Sequence, residues 1–177
     1  REISHFGYGN AFSAQAFYPS DDSGQYRRSM YTFWKRTVPS PMLKTFDAPE
    51  REFCTTRRSR TNTPLQALAL LNGPQFVEAA RRLAERMLSK GGQTLNERIT
   101  YGFRLVTARV PVQSELTLLR SSYTENLKLF ETNQSTAHKL LKVGDSPYNT
   151  RLNISKLAAM TSVARLLLNL NETVTKG

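Results

Sequence analysis

Three acids and four arginines crowd the segment Phe46-Asp47-Ala48-Pro49-Glu50-Arg51-Glu52-Phe53-Cys54-Thr55-Thr56-Arg57-Arg58-Ser59-Arg60, and these residue types could do chemistry. Asp47, Glu50 and Glu52 could furnish the paired carboxylates of a glycoside hydrolase, acting as acid and base on an anionic polysaccharide. Arg57, Arg58 and Arg60 lie just before Thr63-Pro64, where a hydroxyl N-cap followed by proline opens a helix. A helix N-terminus disfavours nearby cations by about 0.3–1 kcal/mol each, so an anion is expected to offset them. One source is internal: Asp47, Glu50 and Glu52 in an ion-pair network that ties the loop to the helix. The other is external: a phosphate, sulfate or substrate carboxylate held by Arg57, Arg58, Arg60, Thr63 and the helix N–H groups.

A second candidate surface precedes this one. From Arg28 to Arg36 the chain alternates, with Met30, Thr32 and Trp34 on one face and Tyr31, Phe33 and Lys35 on the other. That pattern predicts a short strand. Arg27, Arg28, Tyr31 and Trp34 could stack a sugar face or single-stranded nucleic acid. The competing role for Trp34 and Met30 is to anchor the segment to a helical core while the arginines face water.

Other chemical signals are weak. Cys54 is the only cysteine, which excludes an internal disulfide, a CxxC pair and a CxxCH haem attachment, and it is expected to be a small half-buried residue. His138, beside Lys139 and Lys142, is expected to be exposed. Asp21-Asp22-Ser23 lacks the spaced acid ladder of a calcium loop, and no metal site is expected. HExxH, GxxxxGK[ST] and GxSxG are all absent. Asn133-Gln134-Ser135, Asn153-Ile154-Ser155 and Asn171-Glu172-Thr173 fit the glycosylation pattern, but helix capping is the simpler account.

The elements that must position these residues change character near residue 60. Residues 1–60 read as an extended, loop-rich arm and residues 61–177 as a helical domain. Helices are predicted at Thr63–Asn72, with Leu65, Leu68 and Leu71 as one face, and at Pro74–Lys90, with Phe76, Ala80, Leu83 and Met87 inward and Glu78/Arg82 paired on the wet side. Thr94-Leu95-Asn96-Glu97 has the form of a capping box and opens a third, carrying Ile99, Phe103 and Val106. A fourth runs from about Ser114 to Thr132, a fifth from about Ser135 to Val143, and a sixth from Asn153, apolar enough to be central. The expected fold is mostly α: an irregular bundle of about six helices with an extended arm that contains one short strand.

Charge and composition bound the partners. The formal net charge is +11, spread as ten Lys/Arg against six Asp/Glu in residues 1–60 and fifteen against eight in residues 61–177. Dispersed basic charge reads as a solvated surface rather than a duplex-binding stripe, which argues against nucleic acid as the partner. Arginine outnumbers lysine 17 to 8, favouring bidentate oxyanion pairing. The longest nearly apolar run, Val163 to Leu170, is interrupted by Arg165 and is too short to span a bilayer. The chain opens on Arg1 without a signal-peptide pattern, as expected of a cut or processed terminus.

The stretch from Tyr26 to Met87, and the segment Ser155 to Thr173 again, resemble the C-terminal domain of unknown function of large planctomycete-type secreted proteins. The resemblance covers most of Asp22 to Lys176, with residues 1–20 matching less well, and the family's N-terminal half is not reached. In that family the domain is commonly joined to a second uncharacterised domain and to a c-type cytochrome domain. The resemblance therefore implies an extracytoplasmic setting, no cofactor in this chain, haem elsewhere in the parent protein or complex, and no assigned catalytic residue. It also implies a partner: another protein chain or the missing half of the parent, met through an apolar face. A non-catalytic accessory or interaction domain is the resulting expectation.

Overall fold

The computed structural model describes residues 40–49 and 53–175, and the chain divides into two units, 1–61 and 62–177. The strand expected at residues 28–36, with Arg27, Arg28, Tyr31 and Trp34, lies outside the described residues, as do Glu50 and Glu52. The described residues are mostly helical and contain no strand.

In the first unit, Ser40-Pro41 opens α1 (Pro41–Thr45), a short helix that ends in a turn where Ala48 N–H donates to Leu43 O at 2.9 Å. In the second unit the punctuation expected from sequence forms the helix ends. Thr63 caps α2 (Pro64–Asn72): its hydroxyl accepts the Gln66 N–H at 3.3 Å while Gln66 Oε1 accepts the Thr63 N–H at 3.0 Å. Gly73-Pro74 then opens α3 (Pro74–Lys90). The Thr94/Glu97 capping box opens α4 (Leu95–Thr107), and the backbone N–H groups of Thr94 and Gln93 hold the Glu97 carboxyl below its usual range. There follow α5 (Gln113–Thr132), α6 (Gln134–Leu141), α7 (Ile154–Leu168) and α8 (Asn171–Val174). Two short helices, α1 and α8, thus join the six expected; each has five residues or fewer and too little periodicity to be read in advance.

The core forms around α7, which packs mainly on α3 and α5. Leu157, Met160, Val163, Ala164 and Leu167 are buried there with Ala80, Ala84 and Met87 of α3, Ile99 and Phe103 of α4, Tyr123 and Phe130 of α5, and Leu141 of α6. Close approach of α3 to α4 depends on Gly102, where an added Cβ would lie 2.6 Å from Met87 Sδ.

Two helical faces differ from expectation. On α2, Leu65 and Leu68 are exposed and the buried residue is Gln66, held inside by the capping box. On α3, Glu78 is not on the wet side: it is 5% exposed, and Arg82 pairs instead with Glu85 at 2.9 Å. The cause is tertiary, because the loop after α6 covers this face and supplies donors to Glu78.

Candidate functional site

Of the residues expected to form an arginine and carboxylate cluster, Asp47 and Arg58 meet at one turn of the first unit, together with Thr61. Asp47 follows α1 with a left-handed backbone, φ 57°, a conformation that Asp adopts more readily than most residues. Its carboxylate accepts the Thr61 backbone N–H at 2.8 Å and the Thr61 hydroxyl at 2.8 and 2.9 Å. Arg58 reaches the same turn from the other side, donating from Nε to Asp47 O at 2.6 Å and from Nη2 to Phe46 O. A guanidinium on the last carbonyls of a helix satisfies orphan acceptors at the negative end of its dipole. Arg58 is therefore favourably placed at the end of α1.

Residues 53–61 are exposed throughout, including Arg57, Ser59 and Arg60. Cys54 is exposed rather than half-buried, since no apolar neighbour in this loop covers it. Thr63 falls in the second unit, where its hydroxyl is engaged as the cap of α2.

A second polar cluster, unforeseen from sequence, lies in the second unit. Glu78, Arg81 and Glu85 on α3 hold the loop that follows α6. Glu78 accepts the backbone N–H of Asp145 at 2.9 Å and of Ser146 at 3.3 Å, and the Ser146 hydroxyl donates to it as well. Arg81, 1% exposed, donates to Leu141 O and Ser146 O, the latter at 2.6 Å, and to Ser146 Oγ at 3.0 Å. Glu85 accepts the Asn149 N–H at 2.9 Å. Buried charges are tolerated when such bonds replace water. Spacing by three and four residues puts these charges on the period of the apolar stripe, the one sequence signal that could have located them.

An open cleft of about 330 Å³ borders this loop, lined by Arg81, Lys142, Ser146, Tyr148 and Thr150 among others. His138, half-buried rather than exposed, lies 3.3 Å through Nδ1 from the Tyr148 hydroxyl. No group of three or more His, Cys, Asp or Glu among the described residues could hold a metal ion.

The glycosylation-like asparagines and two further arginines are engaged at helix ends and turns. Asn133 and Asn153 accept the N–H groups of Thr136 and Lys156, so two of the three glycosylation-like asparagines are caps; the third, Asn171, bonds Asn62 and Thr175. Arg165 donates to Leu71 O at 2.9 Å, closing the end of α2, and burial pushes its guanidinium below the usual range. Arg109 bridges Glu115 at 2.6 Å and Glu172 at 2.7 Å, joining the α4–α5 turn to α8, and lies 4.8 Å from the Phe103 ring centroid. Its guanidinium, with the Val112 N–H, holds the Glu115 carboxyl down to about 2.

The family model of PSD1, a protein of unknown function (DUF1553), matches residues 5–123. The chain belongs to that family. The PSD1 match takes in residues 5–20, within the stretch expected to match less well, and stops at Tyr123 within α5. It contains Asp47, Arg57, Arg58, Arg60, Thr63, Glu78 and Arg81 but not the loop that Glu78 and Arg81 hold. The closing segment from Ser155 to Thr173 also lies beyond it, although α7 is central to the core of this PSD1 chain. No curated protein and no solved structure matches. No helix among the described residues is long and apolar enough to cross a membrane.

Proposed function

We propose that this PSD1 chain is a non-catalytic accessory or interaction domain of a larger extracytoplasmic protein of the planctomycete type, with haem carried elsewhere in the parent protein or complex. Its partner is another protein chain or the N-terminal half of the parent, and the arginine loop adds an anion-binding surface.

The observation that carries the reading is the face of α2. This helix has no charged residue, yet Leu65 is 59% and Leu68 57% exposed. Leucines exposed together at i and i+3 on an uncharged helix mark a face that suits an interface. The arginine loop supports the anion surface: residues 53–77 contain three arginines and no acid, and its first nine residues are exposed.

Two measurements test this. Titration with the separately expressed upstream part of the parent should show binding that Leu65→Ser/Leu68→Ser abolishes; unaltered affinity in that variant would remove α2 from the interface. A thermal melt against phosphate, sulfate, sulfated glycans and oligonucleotides tests the anion surface. A ligand at a hundred times its Kd stabilises by about 2.7 kcal/mol, and the gain should vanish in Arg57→Ala/Arg58→Ala/Arg60→Ala. No shift with any anion would refute it.

A further inference from the structure

Three segments of the chain carry the Asn-x-Ser/Thr pattern at which a glycan is attached to asparagine, and the structure separates them by the hydroxyl the pattern requires. Ser155 is 6% exposed and its hydroxyl donates to Phe130 O at 3.1 Å, so the pattern that begins at Asn153 is closed to a transferase. Thr173 is half-buried and donates to Leu167 O at 2.9 Å, while Asn171 accepts from Asn62 Nδ2 at 2.7 Å. At the junction of α5 and α6, by contrast, residues 131–136 are all exposed. There the Ser135 hydroxyl donates to Asn133 Oδ1 at 2.9 Å, and the Thr136 N–H donates to the same oxygen at 3.3 Å. The cap of α6 thus occupies the amide oxygen alone. Asn133 Nδ2, the atom that a glycan takes, makes no hydrogen bond among the described residues.

From these contacts we infer that Asn133 is an N-glycosylation site of the parent protein, receiving an oligosaccharide from a polyprenyl diphosphate carrier. The inference rests on the extracytoplasmic setting proposed above, where such carriers present their glycans. Asn133 Nδ2 bonds to the anomeric carbon of the sugar, the bond from that carbon to the diphosphate oxygen breaks, and the diphosphate leaves with the electron pair. The amide nitrogen gives up one proton to the transferase, and Oδ1 stays on the Thr136 N–H. Glu131, exposed two residues earlier, presents an acid for the transferase to read, where Arg151 and Asn169 stand before the other two asparagines. Leu129, one turn back on α5 and 56% exposed, is the apolar side chain that a hydrated glycan would shield.

The test is peptide mapping by mass spectrometry of the full parent chain from the cells that make it, with the cell fraction of the chain recorded. Cleavage after Lys128 and Lys139 isolates residues 129–139, which contain Asn133 and neither of the other two patterns. That peptide should carry added sugar mass, and fragmentation should place it on Asn133. The added mass should disappear in Ser135→Ala and remain in Ser135→Thr, with the melting temperature of the unglycosylated chain the same in both, so that the loss reads the transfer and not the fold. A bare peptide in a chain recovered outside the cytoplasm overturns the inference while the extracytoplasmic reading stands. A bare peptide in a cytoplasmic chain overturns both. Sugar on Asn153 or Asn171 with Asn133 bare, sugar on the Ser135 or Thr136 hydroxyl, or sugar that persists in Ser135→Ala overturns the inference as well.

Discussion

The Glu78 carboxylate accepts the backbone N–H of Asp145 at 2.9 Å across 67 residues of chain. With Arg81 beside it, Glu78 fastens the loop between α6 and α7 to the middle of α3. Removal of Glu78 leaves the Arg81 charge buried without its counter-ion and the Asp145 and Ser146 N–H groups without their acceptor. Glu78→Ala is therefore expected to destabilise the chain by about 3–5 kcal/mol, measured by denaturant unfolding. A loss below about 1 kcal/mol would mean that the loop contributes little to the fold.

Gly144 tests the same contact from the loop side. Its φ is 95°, and an added Cβ would run into the Glu78 carboxylate. A left-handed backbone alone costs an L-residue about 1–2 kcal/mol. Gly144→Ala should lower stability by at least that amount and weaken amide protection at Asp145 and Ser146; full protection would show that the loop can rearrange.

Acid should loosen the clasp on α8. The Glu115 carboxyl is held down to about 2 by Arg109, and Arg109 lowers the Glu172 carboxyl as well. Both folded values lie below the ordinary carboxylate value. The clasp therefore contributes fully above about pH 4.5 and is lost as pH falls from there towards 2. Arg109→Ala should flatten this part of the stability–pH curve. An identical acid limb in the variant would assign acid sensitivity to other carboxylates.

The PSD1 match ends at Tyr123, but the core does not. A chain cut after Tyr123 loses α7 and with it Leu157, Met160, Val163 and Leu167, all buried. It should melt without a cooperative transition and bind a hydrophobic dye, whereas residues 1–175 should melt cooperatively. A cooperative melt of the short form would show that the matched stretch folds without α7.

Much of the helical framework was legible because its signals are local. Thr63 with Gln66, Thr94 with Glu97 and Asn153 with Lys156 each satisfy a helix end within three residues. Leu157 and Leu167 mark α7 as central through apolar content alone. The candidate site was half legible. Asp47 and Arg58 stood out by residue type, but Arg58 meets the Phe46 and Asp47 carbonyls of the turn after α1 rather than a carboxylate, and its link to Asp47 runs through the backbone. Thr61, the residue that holds the Asp47 side chain, resembled any other threonine in a polar loop.

What the sequence determined by itself is roughly where the six longer helices begin and end, and that the described residues are mostly α, since a cap or a proline acts on its nearest neighbours. Tertiary structure alone decided which faces are inside. Glu78 and Leu68 are ten residues apart on successive helices, yet the carboxylate is buried and the leucine exposed. A face is buried only when another part of the chain covers it. For Glu78 that part lies 67 and 68 residues away and brings the N–H groups that make burying a charge tolerable.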